Sequence, residues 1–179
     1  MMPRNLFGTW DDFSVPATLS LRGARTKPDY DDTELGLLFP QNDSSEYISF
    51  IKQFSHSKKL ESGIKPHIHY IQDEAQVPNF VMEYRWYNNG VAPSGSWTTL
   101  ETDNGSGIVF PYSSGSILQI LPFPDITGLS GEAVSSNIDI KLYRDDNVVS
   151  GDVLLKYFDV HYMKDNSGSY SLYSKWSEE

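Results

Sequence analysis

The stretch "FVMEYRWYN", residues 80–88, sets Phe80, Met82, Tyr84 and Trp86 on one side of an extended chain and Glu83 and Arg85 on the other. Side chains of a strand alternate between faces, so this stretch predicts a half-buried β-strand with an apolar stripe. The same period of two recurs along the chain. Upstream lie "LGLLF" (35–39), "YISFIKQF" (47–54) with Ile48, Phe50 and Phe54 in alternation, and "KPHIHYIQ" (65–72). Downstream follow "WTTLE" (97–101), "GIVF" (107–110), "SILQILPF" (116–123), "NIDIKLYRD" (137–145) and "VLLKYFDVHYMK" (153–164). Turn-forming runs such as "NNGVAPSGS" and "DNVVSGD" separate them, and no amphipathic helix of three turns or repeat of fixed period interrupts the series.

About nine short strands bury one face each only by closing into two facing sheets or a barrel. The expected fold is therefore all-β: a single β-sandwich of about eight to nine strands, jelly-roll-like, over residues 35–165. Residues 1–34 read as an extended irregular arm. Prolines 3, 16 and 28 and the charges at Asp29, Asp31 and Asp32 break regular structure there. Trp10, Phe13, Val15, Leu19 and Leu21 make the arm too apolar for solvent, so it is expected to lie along its own domain or a neighbour's. Residues 166–179 form a polar and aromatic tail.

Composition agrees with strands and turns. Aromatic residues are 13% of the 179, and there are 13 Gly and 10 Pro. The net charge of -10 argues against nucleic acid and anionic membrane as partners, since phosphates require clustered Lys and Arg. With no cysteine, disulfides, thiolate metal sites and Cys nucleophiles are excluded. No apolar run reaches the roughly 20 residues of a membrane span, and the N-terminal stretch lacks the apolar core of a signal peptide. Export is expected only within a larger particle or by lysis.

The histidines are the chemically suggestive residues. His67 and His69 are two apart in one predicted strand, and Asp159 and His161 are two apart in another. "HIHYIQDE" has the form H-x-H-x4-E of the first cupin metal motif, with His67, His69 and Glu74 in the matching places and His161 as a further ligand. The flanking glycines of that motif are misplaced or missing, and the second cupin motif is not found. The competing reading is a polar ladder or subunit contact built from His67, His69, Asp159 and His161. The ladder is preferred, so no metal and no cofactor are expected. Serines beside turns lack a nucleophile elbow, and Asp145 and Asp146 sit at a hairpin tip, so no catalytic residue is assigned.

Among the aromatics, Tyr84 and Trp86 read as core. Tyr87, Trp97 and Tyr112 are candidates for stacking on a sugar ring. Trp97, Tyr112, Tyr170, Tyr173 and Trp176 are interface candidates, together with Trp10, Asp11, Asp12 and Phe13 of the arm.

Five islands occur in order: "WDDFSVP" (10–16), "KPHIHY" (65–70), "MEYRWYNNG" (82–90), "IKLYRDD" (140–146) and "GDVLLKYFDVHYMKDNSGS" (151–169). In that order they resemble a family of small tailed-phage virion structural proteins. The resemblance implies a non-enzymatic virion component, a head decoration, a collar or neck element, or a tail-fibre part. It would be made in the host cytoplasm and located in the virion. Its partners would be itself, as a homo-oligomer with a trimer as the expected form, and capsid, portal or tail proteins. A host surface glycan is a further expected partner. Two alternatives stand beside it: a cupin-like metal-binding protein or enzyme using His67, His69, Glu74 and His161, and a carbohydrate- or receptor-binding β-sandwich module.

Overall fold

The computed structural model describes residues 9–22, 27–74, 76–102, 115–145 and 150–165. Eleven strands are formed there: β1 (Thr9–Pro16), β2 (Leu21–Arg22), β3 (Asp29–Asp31), β4 (Gly36–Phe39), β5 (Tyr47–Gln53), β6 (Ile64–Gln72), β7 (Phe80–Tyr87), β8 (Thr98–Glu101), β9 (Gly115–Pro122), β10 (Asn137–Arg144) and β11 (Val153–Lys164). The expected strand at 107–110 lies outside the described residues, as do Tyr112, Tyr170, Tyr173 and Trp176.

Two antiparallel sheets pack face to face. In the first, strands run β4-β11-β6-β9, and in the second β5-β10-β7-β8. From β4 onward, each connection crosses to the other sheet except β7 to β8, which are neighbours. This is the eight-stranded jelly-roll order, and it confirms the expected β-sandwich.

Between the sheets, inward residues of each strand interdigitate. Ile48 and Phe50 of β5, Ile68 and Tyr70 of β6, Phe80 and Met82 of β7, Ile140 and Leu142 of β10, and Phe158 and Val160 of β11 are all buried. Ring pairs knit the layers together: Phe39 with Phe80 at 5.6 Å, and Phe50 with Phe158 at 4.9 Å. Such edge-to-face and tilted pairs add to the burial of their area.

Over its described part, the N-terminal segment lies on its own domain, one of the two placements its apolar content predicted. β1 pairs with the C-terminal half of β11, beside the stretch where β4 pairs with the N-terminal half. β2 and β3 pair with β5 and β4. The segment thus covers strand edges that would otherwise offer unpaired N–H and C=O groups. Phe13 packs edge-on to Phe54 at 5.7 Å and belongs to the core, so its ring is not an exposed docking anchor. Trp10 stays half exposed, and Asp11 pairs with Lys164 at 3.1 Å and accepts from the Tyr162 hydroxyl.

Glu46, just before β5, sits near Asp43, Asp29 and Asp152. Partial burial, then repulsion from these three carboxylates, pushes its carboxyl up. A raised carboxylate binds its proton in the folded state first, so stability rises as pH falls through its folded pKa and the strain is present above it. Glu46→Gln is expected to stabilise the fold at pH 7 by a few tenths of a kcal/mol, the group being partly solvated. In urea titrations that gain should vanish below about pH 4; an equal gain at both pH values contradicts the assignment.

Candidate functional site

Two places on the sandwich gather functional side chains. The first is on the outer face of the sheet containing β6 and β11. Ile68 and Tyr70 turn inward from β6, and Phe158 and Val160 from β11, so His67, His69, Asp159 and His161 point outward. Register then sets Asp159 opposite His67. His69 Nε2 lies 2.9 Å from Asp159 Oδ2 and His67 Nε2 lies 3.6 Å from the same oxygen. The rings of His67 and His161 are 4.8 Å apart, edge to face. His67, His69 and Asp159 each offer a donor atom within 4.8 Å of the others.

Glu74, which the cupin-like spacing grouped with these histidines, does not join them. β6 ends at Gln72, so Glu74 lies in the turn beyond, where its carboxylate accepts from the backbone N–H and the hydroxyl of Ser150. Asp159, reached across the sheet, supplies the carboxylate instead. His161 is adjacent and exposed.

Burial lowers the His67 pKa, opposed by the Asp159 carboxylate and reinforced by His69 and His161, so the ring is neutral near pH 7. Burial raises the Asp159 carboxyl, but contacts with His69 and Ser14 outweigh it and leave it below the usual carboxylate range.

The second place is a cleft of about 310 Å³ where the loop between β7 and β8 and the segment after β9 meet the end of β7. Tyr84 and Trp86 form aromatic walls, Ile126 and Leu129 add apolar surface, and Ser94, Ser96, Thr98, Thr127 and Ser130 contribute hydroxyls. Arg85 lines it too, reaching Asp139 Oδ2 at 2.5 Å and the Ser94 carbonyl at 3.2 Å, while its buried Nε has no hydrogen-bond partner.

The aromatic wall is held rigidly. Trp86 meets Phe54 at 5.1 Å and the Lys58 ammonium at 4.8 Å, and its Nε1 donates to Ser136 Oγ at 3.0 Å. The opposite wall is pinned by a buried ion pair. Lys58 Nζ and Glu132 Oε2 are 2.7 Å apart with both side chains 1% exposed. Lys58 also donates to the Ser62 carbonyl, and Glu132 accepts from the Glu61 N–H and the Ser136 hydroxyl.

The sequence reading placed Tyr84 and Trp86 in the core, and both do pack against it. Their second role as cleft walls depends on residues 126–130, about 40 positions away, and no local pattern announces it. Trp97 stands under the Arg85 guanidinium and the Lys141 ammonium, each 4.2 Å from its ring centre. Tyr87 donates to Asp139 Oδ1 at 2.8 Å. Both therefore belong to a polar cluster on the outer face of the second sheet.

No protein-family model matches this chain, and no curated protein is significantly similar to it. Solved structures similar to it include the CBM36-1 domain of a multidomain xylanase from the hindgut metagenome of Trinervitermes trinervoides. That match has 10% identity and a TM-score of 0.49, covering 84% of this chain and 96% of that one. The xylan-binding module CBM15 is similar at 10% identity and a TM-score of 0.44, over 87% and 98% of the two chains. The CBM35 module from Cellvibrio japonicus Abf62 is similar at 10% identity and a TM-score of 0.42, over 87% and 99%.

Proposed function

We propose that this chain is a non-catalytic binding module whose ligand is a neutral carbohydrate, taken into the cleft beside β7. The observation that carries this reading is the chemistry of the cleft wall. Flat rings at Tyr84 and Trp86 suit the C–H faces of a pyranose, and five Ser and Thr hydroxyls can exchange hydrogen bonds with sugar hydroxyls. Arg85 also lines the cleft, its guanidinium held by Asp139 and the Ser94 carbonyl. Arg85 is already matched by Asp139, so among the described residues the wall offers an anionic sugar no unpaired cation. Among the described residues, no carboxylate or imidazole lines the cleft, which suits binding rather than the acid–base pair of glycoside hydrolysis. Rigid walls reduce the ordering cost of binding.

An array of neutral gluco-, xylo-, manno- and galacto-oligosaccharides tests the reading. Retention of at least one class is expected, with binding weakened tenfold or more, about 1.4 kcal/mol, by Tyr84→Leu and by Arg85→Met. Failure to retain any class, or binding indifferent to both changes, would overturn it.

A second reading, an assembly subunit such as the virion component that the sequence resemblance implies, draws support for its assembly contact from the outer face of the β6–β11 sheet, where Trp10, Tyr157 and Leu118 stand exposed. The two readings combine in a receptor-binding element of a particle. Sedimentation of the purified chain checks the assembly: a trimer supports it, and a monomer at 100 µM counts against it.

A further inference from the structure

We infer that the outer face of the β6–β11 sheet carries a mononuclear site for a borderline transition-metal dication of the Zn²⁺ class, held by His67, His69 and Asp159. The cleft beside β7 plays no part in this inference.

Three donor atoms from adjacent strands lie within 4.8 Å of one another, a spacing an ion at its ordinary bond lengths can bridge after small side-chain shifts. Each donor is fixed from behind. Alternation aims both histidines outward from one strand, and the β6–β11 register sets Asp159 beside His67. A ring N–H of His67 is bonded to the Lys65 backbone, leaving Nε2 as the nitrogen that faces Asp159. Such an outer partner fixes tautomer and ring orientation in metal-binding histidines. Ser14, opposite Asp159 in the β1–β11 pairing, contacts the carboxylate.

The polar ladder is the competing account, and the hydrogen bonding argues against it. The ladder pairs His69 Nε2 with Asp159 Oδ2 at 2.9 Å but leaves Asp159 Oδ1 buried without a hydrogen-bond partner. Asp159 is only 8% exposed. An unsatisfied buried polar atom is destabilising, and a dication held by this carboxylate and the two imidazoles satisfies it. Two imidazoles with one carboxylate select the Zn²⁺, Ni²⁺ and Cu²⁺ class over Ca²⁺ and Mg²⁺, which prefer all-oxygen shells. Side-chain exposures of 12% for His67 and 19% for His69 leave an open side, where water completes the shell.

Calorimetric titration of the chelator-treated full chain with ZnCl₂ is the test. One equivalent is expected to bind with a Kd of about 1 µM or tighter, and to raise Tm in excess Zn²⁺. Asp159→Asn and His67→Gln should each weaken binding at least tenfold, whereas His161→Gln, outside the ligand set, should keep it within threefold. NMR of the wild-type imidazoles serves if a variant fails to fold: one equivalent of Zn²⁺ should shift the His67 and His69 ring signals and leave those of His56 in place. Binding below a tenth of an equivalent, binding unchanged in both ligand variants, or shifts confined to His56 and His161 would overturn the inference.

Discussion

Glu132→Ala is expected to lower the stability of the fold by about 3–5 kcal/mol, the cost of leaving a buried charge without its partner. Lys58 is 1% exposed and has no route to water, so its ammonium would stay buried against the rings of Phe54 and Trp86. The same change strands the Glu61 N–H and the Ser136 hydroxyl, both of which donate to Glu132. In a chain of this size the loss corresponds to a fall in Tm on the order of 10 °C. Lys58→Met combined with Glu132→Leu removes both charges and should recover part of the loss, the two stranded donors keeping the recovery incomplete. Urea unfolding at pH 7 measures all three variants; a loss below about 1 kcal/mol for Glu132→Ala contradicts the pairing.

Gly128→Ala is expected to cost about 3 kcal/mol, toward the upper end for overpacking. A Cβ at that position would stand 2.1 Å from the Glu61 carbonyl oxygen and 2.4 Å from its carbon. These are backbone atoms, so no side-chain rotation relieves the clash. The close approach is reciprocal, since a Cβ on Gly63 would stand 2.7 Å from the Ile126 oxygen. Between the two glycines, Ile64 and Ile126 exchange backbone hydrogen bonds of 2.9 Å in both directions. Separating the strands there moves residues 126–130, one wall of the cleft. Carbohydrate binding should therefore fall along with stability. A Gly128→Ala protein with wild-type urea midpoint contradicts the close approach.

These two changes act at the part of the molecule that was least legible in the sequence. The sandwich itself was readable where alternation is clean: β6 alternates buried and open positions over all nine residues, and β5 does so from Tyr47 to Phe50, while β11 breaks step at the register shift between Leu155 and Tyr157. A two-residue period leaves little choice about which side is core. β1 was hidden for a physical reason: an edge strand buries little, and Phe13 is its one buried residue, preceded by two aspartates and followed in the strand by Pro16. Proline is tolerated there because an edge strand leaves one side of its backbone unpaired.

The histidine site was half legible. Two residues of one strand at i and i+2 share a face wherever the strand runs, so His67 and His69 followed from spacing alone. The carboxylate divided the two readings: the polar ladder grouped Asp159 and His161 with these histidines, and strand pairing does bring Asp159 to them, whereas the cupin-like spacing chose Glu74, which lies past the strand's end. The cleft was not legible, since its walls converge only after the loops on either side of β7 and β10 have folded back.

The measurement that tests the binding account most directly is a ¹H–¹⁵N NMR titration of the full chain with a mixture of neutral hexasaccharides (cello-, xylo- and mannohexaose) at millimolar concentration. Shifts are predicted at residues 84–86, 94–98 and 126–130, with the outer face of the β6–β11 sheet unchanged. No shifts at that concentration, or shifts confined to residues 65–71 and 157–163, would contradict it.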